Sequence, residues 1–159
     1  MRNVLAAALM FVLASGSASG VDLSDFGAVV DVDESLKSLS LSVREGRDPT
    51  PDGRLLMLDG VVSAIEVLDP EEASFSARLA LVTGEWQGLE RVVMYSAYVD
   101  ISGPEFFSRI PTRRNRNTTE DAITTNGAML VIGRFEGITT DSDGNPVPVV
   151  EGLYLRPLQ

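Results

Sequence analysis

The sequence predicts a mostly-β fold of five strands, with a short helical connection between the third and the fourth. Segments in which apolar and polar residues alternate follow one another, and this period of two is typical of half-buried strands. Groups of Gly, Pro, Asp and Asn separate the segments, as turns require. A single longer connection of helical character interrupts the series.

The five strands are expected over residues 54–68, 74–82, 91–99, 128–135 and 147–155. The first strand is long, and Gly60 near its middle favours a bulge or a bend. The last two strands are joined by the sequence D-S-D-G-N, which is a strong hairpin signal. The segment T-G-E-W-Q-G at 83–88 is assigned to the connection that follows the second strand.

The long connection between the third and fourth strands covers residues 100–127 and is expected to begin as a helix. The sequence S-G-P-E at 102–105 fits a capping box with a proline in the first turn. Pro111 is expected to end this turn, because the residue before a proline leaves the helical conformation.

The first 20 residues are typical of a secretory signal peptide. Arg2 supplies a positive start, residues 4–14 are apolar, and residues 15–20 are small. This apolar stretch is shorter than the roughly 20 residues that span a bilayer. We therefore expect export and cleavage, which leave a periplasmic or extracellular protein with no transmembrane segment.

An N-terminal arm at 21–53 is expected to precede the β domain at 54–159. In the arm, residues 27–30 are consistent with a short strand. The strict alternation S-L-S-L-S-V at 38–43 predicts a half-buried strand. Residues 48–53 form a connector rich in turn residues.

The composition excludes several classes of chemistry. The chain has no His and no Cys, so nucleophilic triads that need either residue are impossible. Zinc sites built from these ligands and haem ligation by His are excluded for the same reason. The formal net charge of −10 disfavours a nucleic-acid binder, whose interface is normally basic.

The order of three strands, a helical connection and two strands resembles the OB-fold, a five-stranded and partly open barrel. The resemblance covers residues 54–157, and bacterial periplasmic OB-fold proteins are the group that it indicates. The sequences P-V-V-E-G-L-Y-L at 148–155 and L-V-I-G at 130–133 also resemble the starch-inducible outer-membrane lipoprotein family. The chain departs from that family because it lacks the lipobox cysteine.

The candidate site is an Arg-rich segment in the long connection, because guanidinium groups bind phosphate and carboxylate through a planar fork. Asparagine amides in the same segment add donors. The alternative is a solvated loop that offsets the acidic surface. The predicted anion- or partner-binding residues are Arg109, Arg113, Arg114, Asn115, Arg116 and Asn117.

Other candidates are assigned less specific roles. Trp86 between two glycines is a possible stacking residue for a sugar or a base, although a lone Trp more often fills a core. Asp141, Asp143 and Asn145 are spaced like calcium ligands, but Pro146 stands where the calcium loop needs glycine. We assign these residues to a turn and expect neither a metal nor a cofactor.

These observations favour a non-enzymatic binding or assembly module of the bacterial cell envelope. Its expected partner is another envelope protein or an anionic polymer, with nucleic acid improbable. One alternative is a hydrolase that uses carboxylates, with or without a divalent metal. A further alternative is an OB-type nucleic-acid binder, which the net charge disfavours.

Overall fold

The computed structural model describes residues 29–50, 53–112 and 120–158. The predicted signal peptide therefore lies outside the described residues. In chain order, the elements are β1 (Val30–Asp31), α1 (Leu36–Arg44), β2 (Leu55–Asp69), the 3-10 helix η1 (Glu72–Ser74), β3 (Ser76–Gln87), β4 (Arg91–Ser102), α2 (Pro104–Phe107), β5 (Ala128–Thr140) and β6 (Pro146–Leu158). Within the described ranges, none of the helices has the length and apolar character needed to cross a bilayer.

Five of the strands form a partly open barrel. Strand β2 pairs with β3, β3 with β4, β4 with β6, β6 with β5, and β5 returns to β2. The β4–β6 contact is parallel and rests on three residue pairs, beginning with Tyr98 and Val149, so the barrel is only partly closed there. This is the OB topology, with α2 between the third and fourth barrel strands, and the predicted fold class is confirmed.

The length of β2 allows one strand to serve two neighbours. Its first half pairs with β5 and its second half with β3. The register shifts in β2 occur after Val62 and after Val67, rather than at Gly60 as predicted. At Gly60, a Cβ atom would lie 2.9 Å from both Leu81 Cγ and the Val82 carbonyl oxygen, so the glycine permits a close approach of β3.

The core consists of the side chains that point inward at alternate strand positions, as the period of a strand requires. Leu56 and Leu58 of β2 meet Leu79 and Leu81 of β3 inside the barrel, and all four are almost completely buried. The α2 segment and its continuation add the buried side chains of Phe106, Ile110 and Ile123 to the core. Phe107 of α2 also packs edge-to-face on Phe75, with a distance of 5.8 Å between the ring centroids.

The predicted strand at 38–43 is wrong, because these residues belong to helix α1. Ser35 caps the helix and forms a reciprocal capping box with Ser38. Leu36, Leu39 and Val43 follow the spacing of three and four that places side chains on one helical face, and all three are buried. The sequence satisfies both the strand period of two and the helical spacing of three and four. The alternation alone therefore does not distinguish a strand from a helix.

The predicted helix at the start of the long connection is confirmed as α2, with Pro104 in its first turn. The expected capping box is not formed. The N-cap is Gly103, which has a φ of 127° and supplies no side-chain hydrogen bond. The helix is instead anchored by packing, because Phe106 and Ile110 are buried in the core.

Candidate functional site

The outer surface of β3 and β4 is the candidate site, and we call it the outer β3–β4 face. Because side chains alternate along a strand, the residues between the buried core positions point away from the barrel. The antiparallel register places them in directly opposed pairs across the two strands: Trp86 with Val92, Gly84 with Met94, Val82 with Ser96, Ala80 with Tyr98, and Arg78 with Asp100.

One end of this face, around Trp86, is apolar. The Trp86 side chain is 70% exposed, and Met94 and Val92 beside it are 52% and 41% exposed. Met94 also lines a groove of about 420 Å³, whose walls include Val61 and Gly84. Such a cluster of exposed apolar side chains is typical of a binding surface.

Gly84 allows two side chains of β4 to lie close against β3. A Cβ atom at this position would lie 3.2 Å from both Met94 Sδ and Val92 Cγ1. Contacts this close would force the neighbouring side chains to shift. The glycine therefore lets the Met94 and Val92 side chains pack close to β3 next to Trp86.

The other end of the face, around Arg78, is polar. The Arg78 guanidinium donates from Nε to Asp100 Oδ1 at 2.7 Å and from Nη2 to Asp100 Oδ2 at 2.6 Å. It also lies 5.3 Å from the centre of the Tyr98 ring. The hydrogen bond to Asp100 is the main reason that the pKa of Arg78 is raised further above its ordinary value, so this group stays charged.

A second cavity, of about 310 Å³, opens at this polar end. Its lining includes Arg78, Tyr98 and, from β2, Glu66, which stands directly opposite Arg78 in the β2–β3 register. Thr139 and Thr140 at the end of β5 contribute hydroxyl groups. The cavity thus combines a fixed cation, an anion, an aromatic ring and neutral donors.

An ion pair on the opposite side of β3 joins helix α1 to the end of the strand that carries Trp86. Lys37 Nζ lies 2.7 Å from Glu85 Oε2, and the Tyr95 hydroxyl donates to the same oxygen at 3.3 Å. The hydrogen bond from Lys37 is the main cause that lowers the pKa of Glu85, and it raises the pKa of Lys37 in return. Glu85 immediately precedes Trp86, and this contact therefore positions the end of β3 that carries the tryptophan.

Trp86 was expected in a connection, but β3 continues to Gln87 and holds it in a strand. The sequence T-G-E-W favoured a turn because glycine interrupts the apolar pattern. The register with β4 extends the strand regardless, since Gln87 still pairs with Arg91. The exposure that was predicted for Trp86 as a stacking residue is present.

Arg109, a predicted anion-binding residue, has its guanidinium engaged with the protein itself. Its Nη2 donates to the Leu155 carbonyl at 2.8 Å and its Nε to the Asp121 carbonyl at 3.2 Å. These bonds fasten the long connection to β6. The remaining residues of the predicted site lie outside the described residues: Arg113, Arg114, Asn115, Arg116 and Asn117.

Asp141 has the structural role expected of a turn residue. Its carboxylate accepts hydrogen bonds from the backbone of Asp143 and from both the backbone and the side chain of Asn145. These bonds, led by the Asn145 side chain, lower the pKa of Asp141. Across the described ranges, no group of three or more acidic side chains is placed to hold a metal ion.

The strand pairing defines the chain as an OB-fold protein. Among solved structures, it is similar to the single-stranded DNA-binding protein of Thermus aquaticus, at 18% identity and a TM-score of 0.40 over 65% of this chain. It spans 48% of that protein. No family model matches the sequence, and no curated protein matches it significantly.

Two other solved structures are similar. The small single-stranded DNA-binding protein of Streptomyces coelicolor matches at 14% identity and a TM-score of 0.36, over 67% of this chain and 95% of that one. The Plasmodium falciparum SSB in complex with single-stranded DNA matches at 14% identity and a TM-score of 0.32, over 66% of this chain and 94% of that one. These low scores transfer no ligand to the chain.

Several predictions made from the sequence are corrected by this comparison. The envelope-module function is wrong, as are the expected envelope partner and the judgement that nucleic acid is improbable, because the similar structures are single-stranded DNA-binding proteins. The periplasmic or extracellular location is corrected on the same finding. The envelope prediction depended on residues 1–20 and on the Arg-rich segment, and of these only Arg109 lies within the described residues.

Proposed function

We propose that the chain binds single-stranded nucleic acid on the outer β3–β4 face, with a base stacked on Trp86. The observation that supports this proposal is the 70% exposed Trp86, which lies two residues along β3 from Gly84 in the wall of an apolar groove. In OB-folds, the face of the second and third barrel strands, here β3 and β4, is where oligonucleotides and oligosaccharides bind.

Stacking is the interaction that this surface supplies best. Every base has an aromatic face, and stacking a base on an aromatic side chain contributes about 1–3 kcal/mol. Duplex bases are already stacked on one another, so their faces are not available to Trp86. The site therefore selects single strands without reading their sequence at this position.

Charge plays a small part in the proposed binding. The positive charge of Arg78 is already paired with Asp100. Glu66 and Asp59 add negative charge nearby. Binding by phosphate contacts needs several free Lys or Arg side chains. We therefore propose modest affinity that depends on the bases more than on the backbone.

The proposed function is binding without catalysis. A general acid needs a carboxyl group whose pKa is raised towards neutrality. The carboxyl groups of Asp69, Glu85 and Asp141 have their pKa values lowered instead, in each case mainly by a hydrogen bond. These three carboxyl groups are therefore poor candidates for a general acid.

The test compares two aromatic truncations. Fluorescence anisotropy of a labelled dT oligonucleotide gives the Kd of the parent, of Trp86→Ala and of Tyr154→Ala. Tyr154 is a matched control because it is 52% exposed but lies on β6. We expect Trp86→Ala to weaken binding by about 5- to 150-fold, the equivalent of one stacked base, and Tyr154→Ala to leave it unchanged.

Equal loss in both variants would locate the binding elsewhere and contradict the proposal. A neutral oligosaccharide is the second candidate ligand, because the carboxylates around the groove do not repel it. Titration with a linear oligosaccharide in place of dT distinguishes the two. Binding of the sugar through Trp86 without binding of dT would replace the first function by the second.

A further inference from the structure

We propose that the polar end of the outer β3–β4 face is a pocket that recognises guanine. The proposal deepens the proposed function and rests on it, since it names the base that the bound strand must present. The pocket is the cavity lined by Arg78, Glu66, Tyr98, Thr139 and Thr140. Its volume of about 310 Å³ is at the lower end of the range for small-molecule sites.

Arg78 presents an unused edge of its guanidinium group. Asp100 accepts from Nε and Nη2, which occupies the side edge of the fork. A guanidinium has five N–H donors, so Nη1 and the second proton of Nη2 remain on the terminal edge. Two parallel donors of this kind match O6 and N7 of guanine, which is the commonest specific contact of Arg with a base.

Glu66 supplies the complementary acceptor. It stands opposite Arg78 in the β2–β3 register, and its exposed carboxylate has no hydrogen-bond partner in the part of the chain that the structure describes. An ionised carboxylate only accepts hydrogen bonds. Guanine carries two adjacent donors on its Watson–Crick edge, N1–H and the 2-amino group, whereas adenine, cytosine and thymine each place an acceptor next to a donor.

The Arg78 guanidinium is held in position by two neighbouring side chains. The Arg78 guanidinium lies over the Tyr98 ring at 5.3 Å and is held from the side by Asp100. Unstacked bases in single strands are commonly held on aromatic rings or on guanidinium planes. A guanine between the two residues would accept from the terminal edge of Arg78 and donate to the Glu66 carboxylate.

The test uses dT oligonucleotides with one central base varied. Guanine is compared with adenine, with hypoxanthine, which lacks the 2-amino group, and with 7-deazaguanine, which lacks N7. We expect the guanine strand to bind the parent more tightly than the adenine strand by about 5- to 150-fold, the range of one bidentate base contact. Each of the two analogues should lose part of this advantage.

The variant Glu66→Gln separates the two halves of the contact. It should abolish the preference for guanine over hypoxanthine and retain the preference for guanine over 7-deazaguanine, because Arg78 is untouched. Glu120→Gln is the matched control, since Glu120 is an exposed carboxylate outside this face. Its base preference should equal that of the parent.

Failure of this inference and failure of the proposed function give different results. Equal binding of all four strands, with Trp86→Ala still weakening them, would overturn the guanine pocket and leave the proposed function standing. If no strand binds, the protein is titrated with guanosine alone, and the NMR signals of the Arg78 side chain and the Tyr98 amide are monitored. Signals that shift with guanosine and not with adenosine would support the pocket and would reject only the proposed binding of oligonucleotides. Shifts with neither nucleoside, or only with an oligosaccharide, would overturn the pocket.

Discussion

The two ends of the outer β3–β4 face differ in chemistry although the same two strands build both. Around Trp86 the side chains are apolar and exposed, and Gly84 lets Met94 and Val92 pack close to β3. Around Arg78 they are charged and held in place by Asp100. Apolar contact provides affinity without selectivity, whereas fixed hydrogen-bond donors provide selectivity. In the proposed function, one hairpin thus provides affinity at one end and selectivity at the other.

The largest expected effect comes from the core that both ends share. Phe75 is completely buried and packs against Phe107, and Phe75→Ala should lower the free energy of unfolding by about 3–5 kcal/mol. Chemical unfolding measures this loss. Leu68→Ala, at a position 53% exposed, is the control and should change stability by less than about 0.5 kcal/mol. A Phe75→Ala variant as stable as the parent would refute the packing described for this core.

A smaller effect is expected at the polar end alone. Asp100→Asn removes the charge that holds the Arg78 fork, and the free energy of unfolding should fall by about 1–2 kcal/mol, since the pair is partly exposed. The guanine preference should decrease markedly, while binding of pure dT should stay at the parent level. Loss of dT binding together with the guanine preference would show that the two ends are not separate.

Salt should affect binding only weakly. With one or two phosphate contacts, the slope for a single strand predicts about a 3- to 7-fold loss of affinity between 50 and 200 mM salt. Arg91, exposed at the start of β4, is one cation that can supply such a contact. A loss of about a thousandfold over the same interval would indicate about seven phosphate contacts and would contradict a base-dominated site.

The smallest expected effect is a pH dependence at the apolar end. The pKa of Glu85 is lowered in the fold, so its contribution to stability is complete above its ordinary value of 4.5 and is lost as the pH falls through the lowered value. Thermal unfolding of the parent between pH 7 and pH 3 should therefore be more acid-sensitive than that of Glu85→Gln. Lys37→Gln should reduce the acid sensitivity in the same way, because the hydrogen bond from Lys37 is the main cause of the lowered pKa of Glu85. Identical acid profiles in parent and variants would rule out this ion pair in solution.

Much of the fold was predictable because the relevant signals are local. The five barrel strands and the helical turn at Pro104 follow from short-range patterns, and all appear in the structure with somewhat different bounds. Residues 38–43 were predicted wrongly because S-L-S-L-S-V satisfies the strand period while Leu36, Leu39 and Val43 satisfy the helical one. Packing of α1 against the barrel decides between them.

The candidate site was predictable only in part. Trp86 was named as a stacking residue, but its place in a strand depends on the partner strand and not on its neighbours in sequence. Glu66, Arg78, Tyr98 and Asp100 come from three strands, and only the register brings them together. Nothing in the local sequence marks these residues. The concentrated Arg segment attracted the prediction instead, although Arg109 is engaged with backbone carbonyls.

The most direct test of base stacking on this face uses Trp86 itself. It is the only tryptophan in the chain, so intrinsic fluorescence reports its environment without a label. The protein is titrated with a dT oligonucleotide and, separately, with an abasic strand of equal length and equal charge. We expect dT to quench the Trp86 emission to saturation and the abasic strand to leave it unchanged. Equal quenching by both strands, or quenching by neither, would contradict the account.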